Sequence, residues 1–97
     1  MSMNEIDSNT LPQPDIMSGV RSMELTRIWL VDGAPRFIIT PNLWEDPASW
    51  GLLVADLMGH IANAYEQAGH ERPKVLARIK QAFDAEWSAP TSEAKPL

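Results

Sequence analysis

An α+β fold of order β-β-α-α is predicted by three features of this 97-residue sequence. Two short runs rich in β-branched and aromatic residues, 23–31 and 36–40, flank an Asp32-Gly33 pair. A long segment of helical periodicity follows over 46–69, with start and stop signals at its ends. A second helical pattern begins at about Arg72, after a link so short that the two helices must be antiparallel neighbours. The expected architecture is an antiparallel hairpin packed against two antiparallel helices, with a sheet that dimerisation could extend.

The hairpin rests on turn chemistry. Asp-Gly favours a primed turn because that turn needs positive φ at both central residues. Ala34 and Pro35 are read with it as the link, and Pro41 ends the second strand, since proline donates nothing to a ladder. A loop of two or four residues puts Ile28, Leu30, Phe37 and Ile39 on one face. Arg27, Trp29, Val31, Arg36 and Ile38 then share the other. A three-residue loop would group Phe37 and Ile39 with Trp29. The even loop is preferred because it makes one clean apolar face. A two-stranded hairpin is marginal alone and has two open edges.

The helices are bounded by recognisable signals. Asp46 is suited to N-cap the first, and Pro47 to its opening position, where a missing N–H costs nothing. Trp50, Val54, Leu57, Ile61, Ala64, Tyr65 and Ala68 then recur at helical spacing, and Gly69 supplies the stop. In the second helix Pro73 fits the first turn. Val75, Leu76, Ile79, Ala82, Phe83 and Trp87 make one apolar stripe opposite Lys74, Arg78, Gln81 and Asp84. Trp50 and Trp87 are read as core, and Trp44 as a residue that staples the entry to the first helix.

Composition narrows the class. A polar, proline-containing N-terminal segment (1–22) and a polar tail (91–97) are expected to be flexible, leaving one domain over 23–90. A core of that size is marginal, and with no cysteine it has neither disulfide nor thiolate-held zinc to support it. Oligomerisation is the common remaining remedy. The formal charge of −5 argues against a general nucleic-acid binder. No run approaches the roughly 20 apolar residues of a membrane span, and no secretory leader is evident. A cytoplasmic, bacterial protein is expected.

Two helix faces invite functional readings. Asp56, His60, Asn63 and Gln67 share one face of the first helix. An Asp and a His one turn apart can chelate a metal or fix an imidazole tautomer, so Asp56, His60 and Asn63 are the candidate ligand-binding residues. The plainer reading is a solvated polar face. A catalytic zinc needs about three protein ligands, and the other histidine, His70, falls in a turn; no metal site, cofactor or catalytic residue is assigned. Gly51, Ala55, Gly59 and Ala62 form a small-residue stripe beside the apolar one. Glycine inside a helix costs about 1 kcal/mol against alanine, so two of them imply close approach of a helix or sheet, from this chain or a second subunit. With Trp29, which lies between Arg27 and Arg36, Gly51, Ala55 and Gly59 are the candidate interface residues. Arg72, Lys74, Arg78 and Lys80 read as a solvated face, with Lys80 and Asp84 an i,i+4 pair.

The runs Arg27-Ile-Trp-Leu-Val-Asp-Gly, Trp44-Glu-Asp-Pro-Ala-Ser-Trp-Gly, His60-Ile-Ala-Asn-Ala-Tyr-Glu and Ile79-Lys-Gln-Ala-Phe-Asp-Ala-Glu-Trp resemble a small bacterial family, domain of unknown function 5076. The resemblance covers about 23–90 and implies one compact domain; it brings no activity with it. From the residues, the leading reading is a non-enzymatic interaction or regulatory domain, homodimeric and open to a further protein partner. The alternative is a small-ligand or metal-binding protein, even an enzyme, using the Asp56, His60 and Asn63 face with Tyr65. A third, nucleic-acid binding through Arg27, Trp29 and Arg36, is disfavoured by charge.

Overall fold

A computed structural model describes residues 10–15 and 19–90. The tail 91–97 and much of the N-terminal segment 1–22, both expected to be flexible, lie outside the described residues. The elements follow in the predicted order: β1 (Thr26–Val31), β2 (Ala34–Ile39), α1 (Ala48–Gln67) and α2 (Arg72–Ser88). The chain divides between Glu45 and Asp46 into two units, one carrying the hairpin and one the helices.

In the first unit the loop is two residues long. Asp32 (φ 51°) and Gly33 (φ 78°) both take positive φ, as a primed type I turn requires. The register pairs Val31 with Ala34, Trp29 with Arg36, Ile28 with Phe37 and Thr26 with Ile39. Directly opposed residues share a face, so Thr26, Ile28, Leu30, Phe37 and Ile39 lie together, and Arg27, Trp29, Val31, Arg36 and Ile38 lie on the other side. Thr40 N–H donates to the Leu25 carbonyl at 3.0 Å, continuing the ladder past the strand ends.

The strand limits differ from the sequence expectation. β1 begins at Thr26 rather than residue 23, and β2 begins at Ala34, taking in Pro35. The ladder explains why proline is tolerated there. Hydrogen-bonded and non-hydrogen-bonded pairs alternate in an antiparallel sheet. The Thr40–Leu25 bond makes that pair hydrogen-bonded, and so, counting in twos, are Arg27–Ile38, Trp29–Arg36 and Val31–Ala34. Leu30–Pro35 falls between them. The donor that proline lacks would have pointed away from β1, so nothing inside the hairpin is lost.

The second unit is an αα-hairpin. Asp46 caps α1 as expected: its Oδ1 accepts from Ala48 N–H at 2.9 Å, and its carbonyl accepts from Ser49 N–H at 3.2 Å. Pro47 occupies the entry without a donor to satisfy. At the far end His70 N–H reaches the Tyr65 carbonyl (3.1 Å) and Gly69 N–H the Glu66 carbonyl (3.0 Å). This double bond pattern, with Gly69 at φ 102°, is a Schellman stop. α2 starts from an extended Glu71, with Pro73 in its first turn.

Burial in this unit is slight: Ser49, Trp50 and Leu53 at the start of α1 are half-buried, and the remaining burial lies near that turn. Ala62 on α1 is fully buried, Met58 and Gly59 are half-buried, and so are Arg72, Val75, Leu76 and Ile79 on α2. The apolar stripe predicted for α1 turns elsewhere: Val54, Leu57, Ile61 and Tyr65 are exposed. Trp87, expected in the core, is 79% exposed. The periodicity was correct, but it marks which side chains share a face and not what covers them.

Candidate interaction surface

The surface most in need of a partner is built by the hairpin. Alternation puts Ile28, Leu30, Phe37 and Ile39 on one face, and these side chains remain 56%, 68%, 53% and 47% exposed. On the reverse face Trp29 is half-buried opposite Arg36. Arg27 is drawn to Glu24 by an ion pair in which both groups are solvent-exposed, so it anchors little by itself. An open cleft of about 580 Å³ lies between residues 10–14 and β1, bordered by Glu24, Thr26, Ile28 and Trp29.

The helical unit has a second open surface. Phe83 and Trp87 stack with ring centroids 5.8 Å apart and planes 14° from parallel. Both are exposed. Gly51 has open space where a Cβ would stand, whereas a Cβ at Gly59 would meet Arg72 Nη2 at 3.5 Å, an ordinary contact. The stripe thus splits: Gly59 and Ala62 lie in the partly buried region near the turn, and Gly51 and Ala55 are exposed.

The polar face of α1 is tied to α2 at one of its residues. Asn63 Oδ1 accepts from Arg72 Nε at 2.7 Å, joining the two helices across the turn. The sequence reading missed this bond. Its only signal was an Asn about one turn before the stop and an Arg at the next helix start. Asp56 and His60 are exposed. Among the described residues no group of three or more His, Cys, Asp or Glu is placed to hold a metal ion. His70 packs edge-on to Tyr65, with centroids 5.2 Å apart. The bases of α2 are engaged locally: Lys80 pairs with Asp84 at 2.8 Å, Lys74 with Glu71 at 2.9 Å, and Arg78 donates to Gln81 Oε1 at 2.8 Å. No described helix is long and apolar enough to cross a membrane.

These features define a small α+β protein in which, among the described residues, Ala62 is buried while many large apolar side chains stand exposed. The chain belongs to the family described as Domain of unknown function (DUF5076), which matches residues 10–91. That span takes in the 10–22 segment as well as the hairpin and helices. Among solved structures, the chain is similar to one from Rhodopseudomonas palustrus CGA009 described as a putative pyruvate dehydrogenase. The two are 29% identical with a TM-score of 0.70, over 93% of this chain and 96% of that one. No curated protein matches.

Proposed function

We propose that this chain is a non-enzymatic protein-interaction or regulatory domain that works as a homodimer in the bacterial cytoplasm. One observation carries the reading: Ala62 is the buried residue of the described chain, while Ile28, Leu30, Phe37, Phe83 and Trp87 stand in solvent. Moving such surface out of water is the main favourable term in association. Exposed apolar side chains grouped on one face, as Ile28, Leu30 and Phe37 are on the hairpin, support an interaction surface. With no cysteine and one marginal core, association is the available source of further burial. A further protein partner would use whichever faces the dimer leaves open.

Ligand or metal binding through Asp56, His60 and Asn63 has less support, because Asn63 already holds Arg72 and, among the described residues, the other two belong to no group of three potential metal ligands. The dehydrogenase name of the structural neighbour lends a fold; an activity has to be argued from a site. Nucleic-acid binding through Arg27, Trp29 and Arg36 is opposed by the net charge of −5.

Sedimentation equilibrium at several loading concentrations tests the reading directly. The expected mass is twice 10.8 kDa at micromolar concentration, with a melting temperature that rises with concentration. A mass of 10.8 kDa at every loading, with a concentration-independent melt, would overturn it.

A further inference from the structure

The hairpin's two edges are not equivalent, and the difference selects one of them. The residues whose N–H and C=O point outward are those of the non-hydrogen-bonded pairs: Thr26, Ile28 and Leu30 on β1, and Pro35, Phe37 and Ile39 on β2. β1 therefore offers an unbroken row of donors and acceptors, none with a backbone partner among the described residues. β2 lacks a donor at Pro35. Residues 10–14 border β1, but they carry Pro12 and Pro14 and make no backbone hydrogen bond to it, so they do not complete the ladder.

We infer that the occupant of the β1 edge is β1 of a second copy, antiparallel, with the two-fold axis at Ile28. This rests on the homodimer reading and gives it a register. Three registers keep the apolar faces of the two hairpins continuous and centre the contact on the strand. Centring on Arg27 sets Arg27 against the partner's Arg27, a like-charge pair directly opposed. Centring on Trp29 sets Thr26 level with the partner's Asp32, a turn residue at positive φ, and wastes that end of the ladder.

Centring on Ile28 uses the whole row. Thr26 exchanges hydrogen bonds with the partner's Leu30, Ile28 with the partner's Ile28, and Leu30 with the partner's Thr26. On the reverse face each Arg27 lies opposite the partner's Trp29, placing a guanidinium beside an indole twice per dimer, a favourable cation–π pairing. On the apolar face Ile28, Leu30, Phe37 and Ile39 of both copies, exposed in each alone, become one continuous sheet surface. The strand order is β2-β1-β1-β2.

The absence of native cysteine makes the register readable by cross-linking. Directly opposed residues of a hydrogen-bonded pair have Cα atoms about 5.5 Å apart, inside the roughly 4.4–6.8 Å range of a disulfide. Ile28→Cys, oxidised with oxidised glutathione, should convert most of the chain to a covalent dimer. Leu30→Cys should not, because its own copy lies about 14 Å away along the strands. A mixture of Thr26→Cys and Leu30→Cys chains should form the mixed dimer, which keeps the test valid if Ile28→Cys folds poorly. A wild-type chain that sediments as a dimer, with neither Ile28→Cys nor the mixture cross-linking, would overturn the β1 register and leave the homodimer reading intact. Equal cross-linking of Leu30→Cys would also overturn the register. A monomeric wild type would overturn both.

Discussion

Gly51→Ala is expected to stabilise the protein, and the structure says by how much. Gly51 lies inside α1 (Ala48–Gln67), where its backbone must be helical. Glycine there costs about 0.8–1.0 kcal/mol relative to alanine, since it loses more chain entropy on folding. A methyl group normally has to be accommodated, but at Gly51 nothing stands within 4 Å of the Cβ position. The full propensity gain should therefore appear, about 1 kcal/mol. For a domain of this size that raises the melting temperature by about 4–8 °C. At Gly59 the new methyl would touch Arg72 Nη2 at 3.5 Å, an ordinary contact with a flexible group, so Gly59→Ala should gain slightly less. The assay is calorimetric unfolding of wild type and both variants at one fixed chain concentration, with sedimentation of the same samples. A lower melting temperature for Gly51→Ala, or a loss of the dimer, would refute the reasoning. Either result would mean that another helix closes on the Gly51–Ala55 end of the stripe and makes it part of the interface.

Further outcomes follow from named contacts. Asp46→Ala removes the acceptor for Ala48 N–H and should cost about 1 kcal/mol by chemical denaturation; Asp46→Asn, which can still accept, should cost only a fraction of that. Gly33→Val forces a β-branched residue to φ 78° and should destabilise by at least about 1–2 kcal/mol, read in the same denaturation assay. His60→Ala, on an exposed polar face, should stay within about 0.5 kcal/mol. Millimolar zinc should not shift the wild-type melt more than that of His60→Ala; a wild-type-specific rise would revive the ligand reading of Asp56 and His60.

The parts of the fold set by local chemistry were readable in the sequence. Asp32-Gly33 announced a primed turn, and the even-loop register placed Ile28 with Phe37. Asp46 with Pro47, and Gly69, marked helix ends at which the expected hydrogen bonds are found. Pro35 was misplaced because proline's exclusion from strands depends on which way its missing donor would point, and that is decided by the partner strand. The burial of Trp87 was misjudged for a related reason. Helical spacing aligns it with Phe83, and the two rings do stack, yet nothing in a periodic pattern specifies a covering surface. The Asn63–Arg72 bond was hidden because it depends on the geometry of the turn between helices rather than on spacing along one. The candidate interface suffers most from this limit: exposure is a property of the folded chain, and a sequence lists only the residues that would prefer to avoid it.

Pro35 has a consequence for how many copies can assemble. A strand edge that recruits another strand is in principle a template for unlimited growth, each added chain offering a fresh edge to the next. In the proposed dimer, joining two β1 edges would remove both open rows and leave a β2 strand at each rim, with the gap in its donor row at Pro35 and a primed turn immediately beside it. The pairing is isologous and therefore closed. In that dimer the same proline, harmless inside the hairpin, would be a terminator: it would permit one addition and discourage the second, separating a closed pair of chains from a growing fibre.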